Sequence, residues 1–309
     1  MTKFFALGQL GYYASWFIRS KVGDKRPLVN TMIINFNCNL RCKHCAISGN
    51  AEQIPSPSEI SWDDAVREMR LFYERGARVL FFEGGEPTLW RWGDKDLGHL
   101  IDAGHKIGYF VVGYTTNGTN RFFESSDVIS VSLDGPEEIH DSIRGKGVYQ
   151  RLMCNLKHIS HPNVFANMTI MQQNKHALRS TAQIVKEHDH IRGLMINFVT
   201  PPPYDMVLEL EDKRKVIEEA IKLKKEGYPI LNTRSSLQDL LKEDFSALCP
   251  HWVSAFVLPD CSHYQGCPMQ NTPSCKKCGF DAVREYRLIT RGSISAITDM
   301  SRRFAYSKQ

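Results

Sequence analysis

Three cysteines stand close together in the segment FNCNLRCKHC, at Cys38, Cys42 and Cys45. Thiolates at this C-x3-C-x2-C spacing favour a soft metal or an iron–sulfur cluster. Structural zinc normally takes four ligands in paired knuckles, and no second pair lies near these three in the sequence. A [4Fe–4S] cluster held by three thiolates leaves one iron open to bind a substrate or cofactor. The spacing therefore predicts an iron–sulfur centre with one open position, with zinc or a disulfide as alternatives.

A second group of cysteines lies near the carboxyl terminus: Cys249, Cys261, Cys267, Cys275 and Cys278. Four thiolates complete one further [4Fe–4S] cluster, so one of the five is surplus. The C-x2-C pair at the end of this group is also typical of a zinc ribbon, and that alternative stays open. Cys154 lies apart in a helical pattern, and we expect it to be a small buried apolar residue.

The composition of the whole chain favours a soluble globular protein. The chain has 309 residues, 42% hydrophobic and 24% charged, with a net charge of +5. No basic stripe with interleaved aromatics is visible, so we expect no nucleic-acid partner. The odd count of nine cysteines, without a secretory signal, indicates a reducing cytoplasm in which thiols serve as metal ligands.

Six apolar runs alternate with helical patterns between residues 31 and 200. The predicted strands are 31–36, 77–87, 106–118, 128–135, 164–171 and 193–200. Such alternation predicts an α/β fold with a parallel sheet, here a partial (β/α)6 TIM-like barrel with a small cysteine-rich C-terminal extension. We divide the chain into an amphipathic segment (1–27), the barrel core (28–205) and a helix plus the extension (206–309). In parallel sheets the chemistry lies outside the carboxyl ends of the strands, where the motifs of this chain fall.

These motifs resemble the radical S-adenosylmethionine (SAM) superfamily. The three-cysteine motif has an aromatic residue, His44, before its last cysteine, and GGEPT (84–88) follows the second predicted strand. SVSLDG (130–135) and IRGKG (143–147) resemble the fourth strand of that family and the segment after it. The resemblance covers about residues 28 to 200 and implies an enzyme with a [4Fe–4S] cluster and SAM as cofactors.

The resemblance also implies roles for individual residues. The GGEP backbone receives the amino group of SAM, and glycine suits this because it allows close backbone approach. An arginine fork and a serine hold the SAM carboxylate. Asn117 is the candidate near the ribose, and Met195 or Ile196 near the adenine. The predicted cofactor-binding residues are thus Gly84, Gly85, Glu86, Pro87, Asn117, Ser132, Arg144 and Met195.

The chemistry that the resemblance implies is reductive cleavage of SAM to a 5′-deoxyadenosyl radical. That step needs a low-potential electron donor such as ferredoxin or flavodoxin. The radical then abstracts hydrogen from a substrate or adds to it, and the motifs do not separate an oxidoreductase from a transferase. The fold contributes positioning and the exclusion of water.

The carboxyl-terminal cysteines resemble the auxiliary-cluster extensions of this superfamily, the SPASM domain and its shortened form, the twitch. VLPDCSHYQGC (257–267) is similar to their "PDG…C" hairpin, with Cys261 in the place of the turn glycine and Cys267 in that of the ligand. The resemblance implies a second [4Fe–4S] cluster. Its predicted ligands are Cys249, Cys267, Cys275 and Cys278, with Cys261 as runner-up.

The amino-terminal segment bears on the substrate. Residues 4–18 are rich in aromatics and precede several basic residues, a pattern that suits a helix lying in a membrane interface. The segment is also similar to the leader of hopanoid-modifying radical SAM enzymes. We therefore expect an apolar, lipid or other small-molecule substrate and a cytoplasmic protein in peripheral contact with the membrane. The alternatives are a helix packed across the barrel, a peptide or protein maturase, and a non-enzymatic iron–sulfur or zinc module.

Overall fold

A computed structural model describes residues 7–45, 47 and 56–298. The strands, in chain order, are β1 (Val29–Asn35), β2 (Val79–Gly84), β3 (Arg91–Trp92), β4 (Lys95–Asp96), β5 (Val111–Thr116), β6 (Val128–Ser132), β7 (Val164–Ile170), β8 (Ile191–Phe198), β9 (Ser254–Val257) and β10 (His263–Gln265). The helices are α1 (Leu7–Lys21), α2 (Trp62–Arg75), α3 (Leu97–Ile107), α4 (Glu137–Arg144), α5 (Val148–Leu156), α6 (Leu178–Glu187), α7 (Leu210–Lys225), α8 (Arg234–Asp239), α9 (Pro273–Lys276) and α10 (Ala282–Thr290).

Eight strands form one sheet in the order β10-β9-β1-β2-β5-β6-β7-β8. The six predicted strands pair in parallel and in chain order, which confirms the partial barrel. The extension is not separate from this sheet, because β9 pairs in parallel with β1 and β10 continues antiparallel. The sequence division at residue 205 did not predict this, since β9 is short and its partner lies more than 200 residues earlier.

Alternation along the strands separates the core from the inside of the barrel. One face of each strand packs under the helices, as with Met32, Phe82 and Ile196, which are fully buried. The other face points inward and is half-buried. We call this inner surface the lumen, and its residues include Ile33, Phe81, Glu83, Thr115, Ser130, Ser132, Phe165, Asn167, Thr169 and Met195. Gly113 lies on this face as well, because a Cβ there would stand 2.8 Å from the Phe81 ring.

Helix α10 lies along the open side of the barrel. At its start, the Asp281 backbone N–H donates to Asn197 Oδ1 at 2.8 Å, near the carboxyl end of β8. At its end, the Thr290 carbonyl accepts from Lys21 Nζ of α1 at 2.6 Å. Two further hydrogen bonds hold the helix. The Thr233 N–H donates to Glu285 Oε1, and Arg287 Nη1 donates to Asp239 Oδ2, each at 2.9 Å. The extension therefore places a helix against the lumen.

Helix α1 packs against the opposite end of the barrel from the predicted site. Trp16 is buried, donates from Nε1 to the Arg26 carbonyl at 2.9 Å and stacks on Trp252 with ring centres 5.3 Å apart. Tyr12 contacts the Phe110 ring edge-on at 5.5 Å, just before β5. In the described part of the chain, no helix has the length and apolarity needed to cross a membrane. The aromatic face of this helix is used within the protein, which favours the packed helix over the interfacial one.

Replacing Trp16 by Ala should destabilise the fold by about 3–5 kcal/mol, because the change leaves a cavity beneath α1. Ile18→Ala is the matched control, since Ile18 is 62% exposed on the same helix and should change stability by about 0.5 kcal/mol or less. Urea denaturation measures both, and sedimentation with anionic vesicles completes the test. Equal stabilities for the two variants, with salt-sensitive vesicle binding by the intact protein, would favour the interfacial helix instead.

Candidate functional site

The three-cysteine loop follows β1 at the carboxyl end of the sheet. The Leu40 N–H donates to Cys38 Sγ at 3.4 Å, and the Cys45 N–H closes a turn on the Cys42 carbonyl at 3.1 Å. Burial raises the pKa of Cys38, and it raises the pKa of Cys42 to about 11. At Cys42 the positive charge of Arg144 opposes this rise, whereas the other two thiols add to it. The sequence thus brings three thiols together where their charges interact. Bound iron would hold them as thiolates, since metals bind the deprotonated form.

A buried ion pair stands beside this loop. Arg144, at the end of α4, donates from Nε to Asp134 Oδ2 at 2.6 Å, and its Nη1 lies 3.9 Å from Cys42 Sγ. Burial disfavours the charged form of Asp134, but the positive charge of Arg144 opposes this effect, and the pKa of Asp134 is lowered. Asp134 also accepts from the Thr169 backbone N–H at 2.9 Å. The predicted carboxylate-binding arginine is therefore held in place by a carboxylate that follows β6 by two residues.

The GGEP turn lies directly against the chain that leads into the cysteines. A Cβ on Gly84 would come within 2.3 Å of the Asn35 carbonyl oxygen, and one on Gly85 within 2.3 Å of that of Asn37. The Gly85 N–H donates to the Asn35 carbonyl at 2.9 Å. Only glycine fits at either position, and this close approach joins the predicted SAM-binding turn to the cluster loop.

Glu86 connects this turn to the end of β5. Its buried carboxylate accepts from both Thr88 donors at 3.1 and 2.7 Å, from Thr116 Oγ1 at 2.7 Å and from the Asn117 N–H at 2.7 Å. Burial raises its pKa, which these bonds oppose. The sequence placed Glu86 among the cofactor ligands by its motif alone. The structure shows its side chain engaged in holding strand ends together, so it acts as a positioning residue.

Three further residues predicted to bind SAM lie elsewhere around the site: Asn117, Ser132 and Met195. Asn117 is buried, and its side-chain amide is bonded at 2.9 Å both to Asn39 Oδ1 and to the Thr119 N–H. Its role near the ribose stays a prediction. Ser132 and Met195 are half-buried on the lumen face, whereas Ile196 is fully buried in the core. Of the two adenine candidates, the structure therefore leaves Met195 in position to contact a ligand.

Four carboxyl-terminal cysteines gather into a second group. Burial, followed by the charges of Cys278, Cys267 and Cys275, raises the pKa of Cys249 to about 12. Backbone N–H groups of residues 269 and 270 donate to the Cys267 thiol, and Arg284 Nη1 lies 3.4 Å from Cys278 Sγ. Such donors stabilise a thiolate. These four are the predicted auxiliary ligands.

Cys261 stands apart from this group. Arg67 Nη2 of α2 lies 3.3 Å from its thiol, and the acidic groups that affect its pKa are Asp64 and Glu68. Its φ of 63° is left-handed, in the turn between β9 and β10, where the sequence placed it in the position of a glycine.

Cys154 is also outside both groups. It is exposed, so its predicted burial is wrong: α5 buries Leu152 and Leu156 and turns Cys154 outward.

Both donor sets suit an iron–sulfur cluster. No disulfide joins any of the nine cysteines, all of which are described. Within the described residues, no three His, Cys, Asp or Glu side chains converge tightly enough for a single metal ion. Groups of three or four thiols are the usual ligands of iron–sulfur clusters. Near the first set, buried Asn35 Oδ1 and His44 Nδ1 have no hydrogen-bond partner within the described protein and offer polar contacts to a bound group.

Several known proteins resemble this chain in sequence. The family model for the radical SAM superfamily matches residues 32–185. The chain is 27% identical to Fe-coproporphyrin III synthase of Methanosarcina barkeri over 67% of this chain and 54% of that protein. It is 30% identical to a cysteine-type anaerobic sulfatase-maturating enzyme of Clostridium novyi over 45% and 42% of the two chains.

The fold has solved counterparts as well. Native anSMEcpe with bound AdoMet and the Kp18Cys peptide superposes with a TM-score of 0.59 at 16% identity, covering 91% of this chain and 84% of that one. By its match to the family model over residues 32–185, the chain belongs to the radical SAM superfamily. It spans about half the length, or less, of the curated relatives it matches. Nothing in these comparisons supports the similarity of the amino terminus to hopanoid-modifying enzymes.

Two residues near the cysteine groups were not among the site residues predicted from the sequence. Asp134 lies in SVSLDG (130–135), two residues after Ser132, and that position could have identified it. Arg284 had no such signal, because its contact with Cys278 depends on how α10 packs. It is 1% exposed and also donates to the carbonyls of Phe280 and Cys278 at 2.7 and 2.8 Å.

A matched pair of variants tests the assignment of the second group. Cys267→Ala should remove the auxiliary iron, about four atoms per chain, because it deletes a predicted ligand. Cys261→Ala should leave the iron content unchanged, because that thiol lies beside α2. Iron and sulfide counting on anaerobically purified protein decides the matter. Iron loss in the Cys261 variant only, or zinc in the wild type, would contradict the assignment.

Proposed function

We propose that this protein reductively cleaves SAM at a [4Fe–4S] cluster held by Cys38, Cys42 and Cys45, and uses the product to modify a peptide or protein. When bound, the cluster and SAM supply one-electron cleavage of the sulfonium bond and a hydrogen-abstracting nucleoside radical. The observation that carries the proposal is the contact between the cysteine loop and the GGEP turn, where added Cβ atoms would meet backbone oxygens at 2.3 Å. Two motifs distant in sequence therefore form one site.

The chain's own residues orient the cofactor in this proposal. The backbone of Gly84 and Gly85 presents carbonyl acceptors to the SAM amino group, since side chains are excluded there. Arg144 offers its outer guanidinium nitrogens to the SAM carboxylate while Nε is anchored on Asp134. Ser132 lies on the lumen face of the neighbouring strand end. A non-enzymatic iron–sulfur or zinc module would need none of these features.

The character of the lumen favours a peptide over a lipid. Glu83, Thr115, Ser130, Ser132, Asn167 and Thr169 project into it among fewer apolar side chains. Some of these groups bond to one another or within the protein, as Asn167 Oδ1 accepts from Asn197 Nδ2 at 2.7 Å. Burying a lipid there would still leave their remaining hydrogen-bonding capacity unsatisfied, which is costly. A peptide supplies N–H and carbonyl groups that satisfy them. The expectation of an apolar or lipid substrate, which rested on the amino-terminal segment, is not supported.

The relatives offer a second substrate class, which the lumen does not favour. One relative is named as a synthase of an iron coproporphyrin, whereas another is named as sulfatase-maturating and one structural neighbour holds a peptide. A porphyrin with carboxylate side chains calls for basic groups. Among the described lumen residues named above, one is acidic and none is basic. We therefore rank the peptide first.

The auxiliary cluster and the electron donor complete the proposal. Cys249, Cys267, Cys275 and Cys278 hold a second [4Fe–4S] cluster beside Arg284, which donates toward one ligand sulfur. A net charge of +5 suits an acidic low-potential donor such as ferredoxin or flavodoxin. Nine thiols without a disulfide suit a reducing cytoplasm.

Anaerobic turnover tests the proposal. Reduced protein incubated with SAM should form 5′-deoxyadenosine and methionine in equal amounts, measured by liquid chromatography. Arg151→Ala, an exposed change on α5, is the control and should behave as wild type. Fully loaded, reduced protein that releases no 5′-deoxyadenosine would refute the proposed function.

A further inference from the structure

Glu83 is a lumen carboxylate that the SAM-binding role does not use. It is the last residue before the two glycines of the GGEP turn and pairs in register with Ile33 of β1. Its neighbours Leu80 and Phe82 face the helices and are fully buried, so the alternation of β2 directs Glu83 into the barrel. The close packing of Gly84 and Gly85 fixes the backbone from which it projects.

Two neutral groups face this carboxylate from different elements. The Thr115 hydroxyl of β5 is hydrogen-bonded to Glu83, and Tyr286 of α10 lies close enough for the Glu83 charge to influence it. Burial, and then that charge, raises the pKa of Tyr286 to about 12, so the phenol is a neutral hydrogen-bond donor at pH 7. The barrel thus contributes Thr115 and the extension Tyr286 to the surroundings of Glu83.

No cation compensates Glu83 in the described part of the chain. Its pKa is raised by burial, and the hydrogen bond from Thr115 is the opposing influence. The nearby carboxylate Glu86 is satisfied by four donors, and Asp134 is paired with Arg144. A buried acidic group is ordinarily paired with a cation. Glu83 departs from that pattern at the inner surface where a substrate would enter.

We propose that Glu83, with Thr115 and Tyr286, forms a recognition site in the lumen for a cationic side chain of the substrate, an ammonium group of the lysine type. This inference rests on the proposed function, since it assumes that a peptide enters beneath the SAM site. The ammonium pairs with the carboxylate, which Thr115 holds by a hydrogen bond while the Tyr286 phenol lies near it. The site selects the substrate and transfers neither atoms nor electrons.

Two probe peptides test this site: acetyl-Gly-Lys-Gly-amide and its norleucine counterpart, which has the same straight chain without the ammonium. Calorimetry with anaerobic, cluster-loaded protein and SAM should show at least tenfold tighter binding of the lysine peptide to the wild type. Glu83→Gln should abolish that preference, Glu83→Asp should retain part of it, and the exposed control Glu74→Gln should keep it fully. Equal affinity of the wild type for both peptides would overturn the inference, and this arm needs no variant.

The remaining outcomes are also decisive. If Glu83→Gln keeps the preference for the lysine peptide, the inference is overturned. If that variant also loses affinity for SAM, the carboxylate is assigned to the cofactor instead. A lysine preference in a wild type that never cleaves SAM supports the site while refuting the proposed function. Cleavage of SAM without any lysine preference refutes only the site.

Discussion

Replacing Cys38, Cys42 and Cys45 together by Ala should remove about four irons per chain and leave about four, and should abolish SAM cleavage. The three thiols are neighbours at the end of β1 and lie away from the carboxyl-terminal group. We therefore expect the two proposed clusters to load independently. Iron and sulfide analysis, with the visible absorption of the remaining cluster, measures the effect.

The single variant Cys154→Ala is the control for this experiment. Cys154 is an exposed thiol on α5, and its loss should alter neither iron content nor SAM cleavage. A triple variant that kept its full iron content would show that these thiols are not cluster ligands. Loss of both clusters would show instead that the cysteine loop organises the whole sheet.

Arg144→Ala should weaken SAM binding by about 10- to 150-fold, which corresponds to about 1.5–3 kcal/mol for a hydrogen bond to a charged group. The same change leaves Asp134 buried without its partner, so stability should also fall by about 3–5 kcal/mol. Arg144→Lys keeps the charge but loses the planar fork, and should lie between. Equilibrium binding of labelled SAM to anaerobic protein gives the dissociation constants.

The double variant Arg144→Ala/Asp134→Asn separates the two effects. Removing both charges relieves the uncompensated carboxylate, so stability should recover in part while SAM affinity stays low. An unchanged SAM dissociation constant in cluster-loaded Arg144→Ala would contradict the assigned role. Recovery of SAM affinity in the double variant would show that Arg144 acts only through the fold.

Local patterns in the sequence predicted the barrel, and a local spacing also defines the proposed first donor set. Alternating apolar runs predicted all six parallel strands. Helix ends also depend on neighbouring residues: at the two ends of α2, Ser61 accepts from the Asp64 N–H and Gly76 has a φ of 118°. The glycines of GGEP were assigned from motif and physical reason together. Each of these signals lies within a few neighbouring residues.

What the sequence did not predict depends on contacts between distant segments. The pairing of β9 with β1 joins residues 29–32 to 254–257, and no local pattern encodes it. The amphipathic character of α1 was visible, but the partners of Trp16 and Tyr12 were not, so an interfacial helix and a packed helix could not be separated. The sequence also gave no sign of the surroundings of Glu83, because Tyr286 lies near it on a helix about 200 residues later.

The central claim is that Cys38, Cys42 and Cys45 would hold a cluster with one iron left open to SAM. Electron–nuclear double resonance on the reduced protein, with SAM labelled by ¹⁵N at the amino group and ¹⁷O at the carboxylate, measures this coordination. The account predicts hyperfine coupling from both labels in the wild type and from neither in the Cys38/Cys42/Cys45 triple variant. A reduced, fully loaded wild type whose spectrum is unchanged by either label would contradict it.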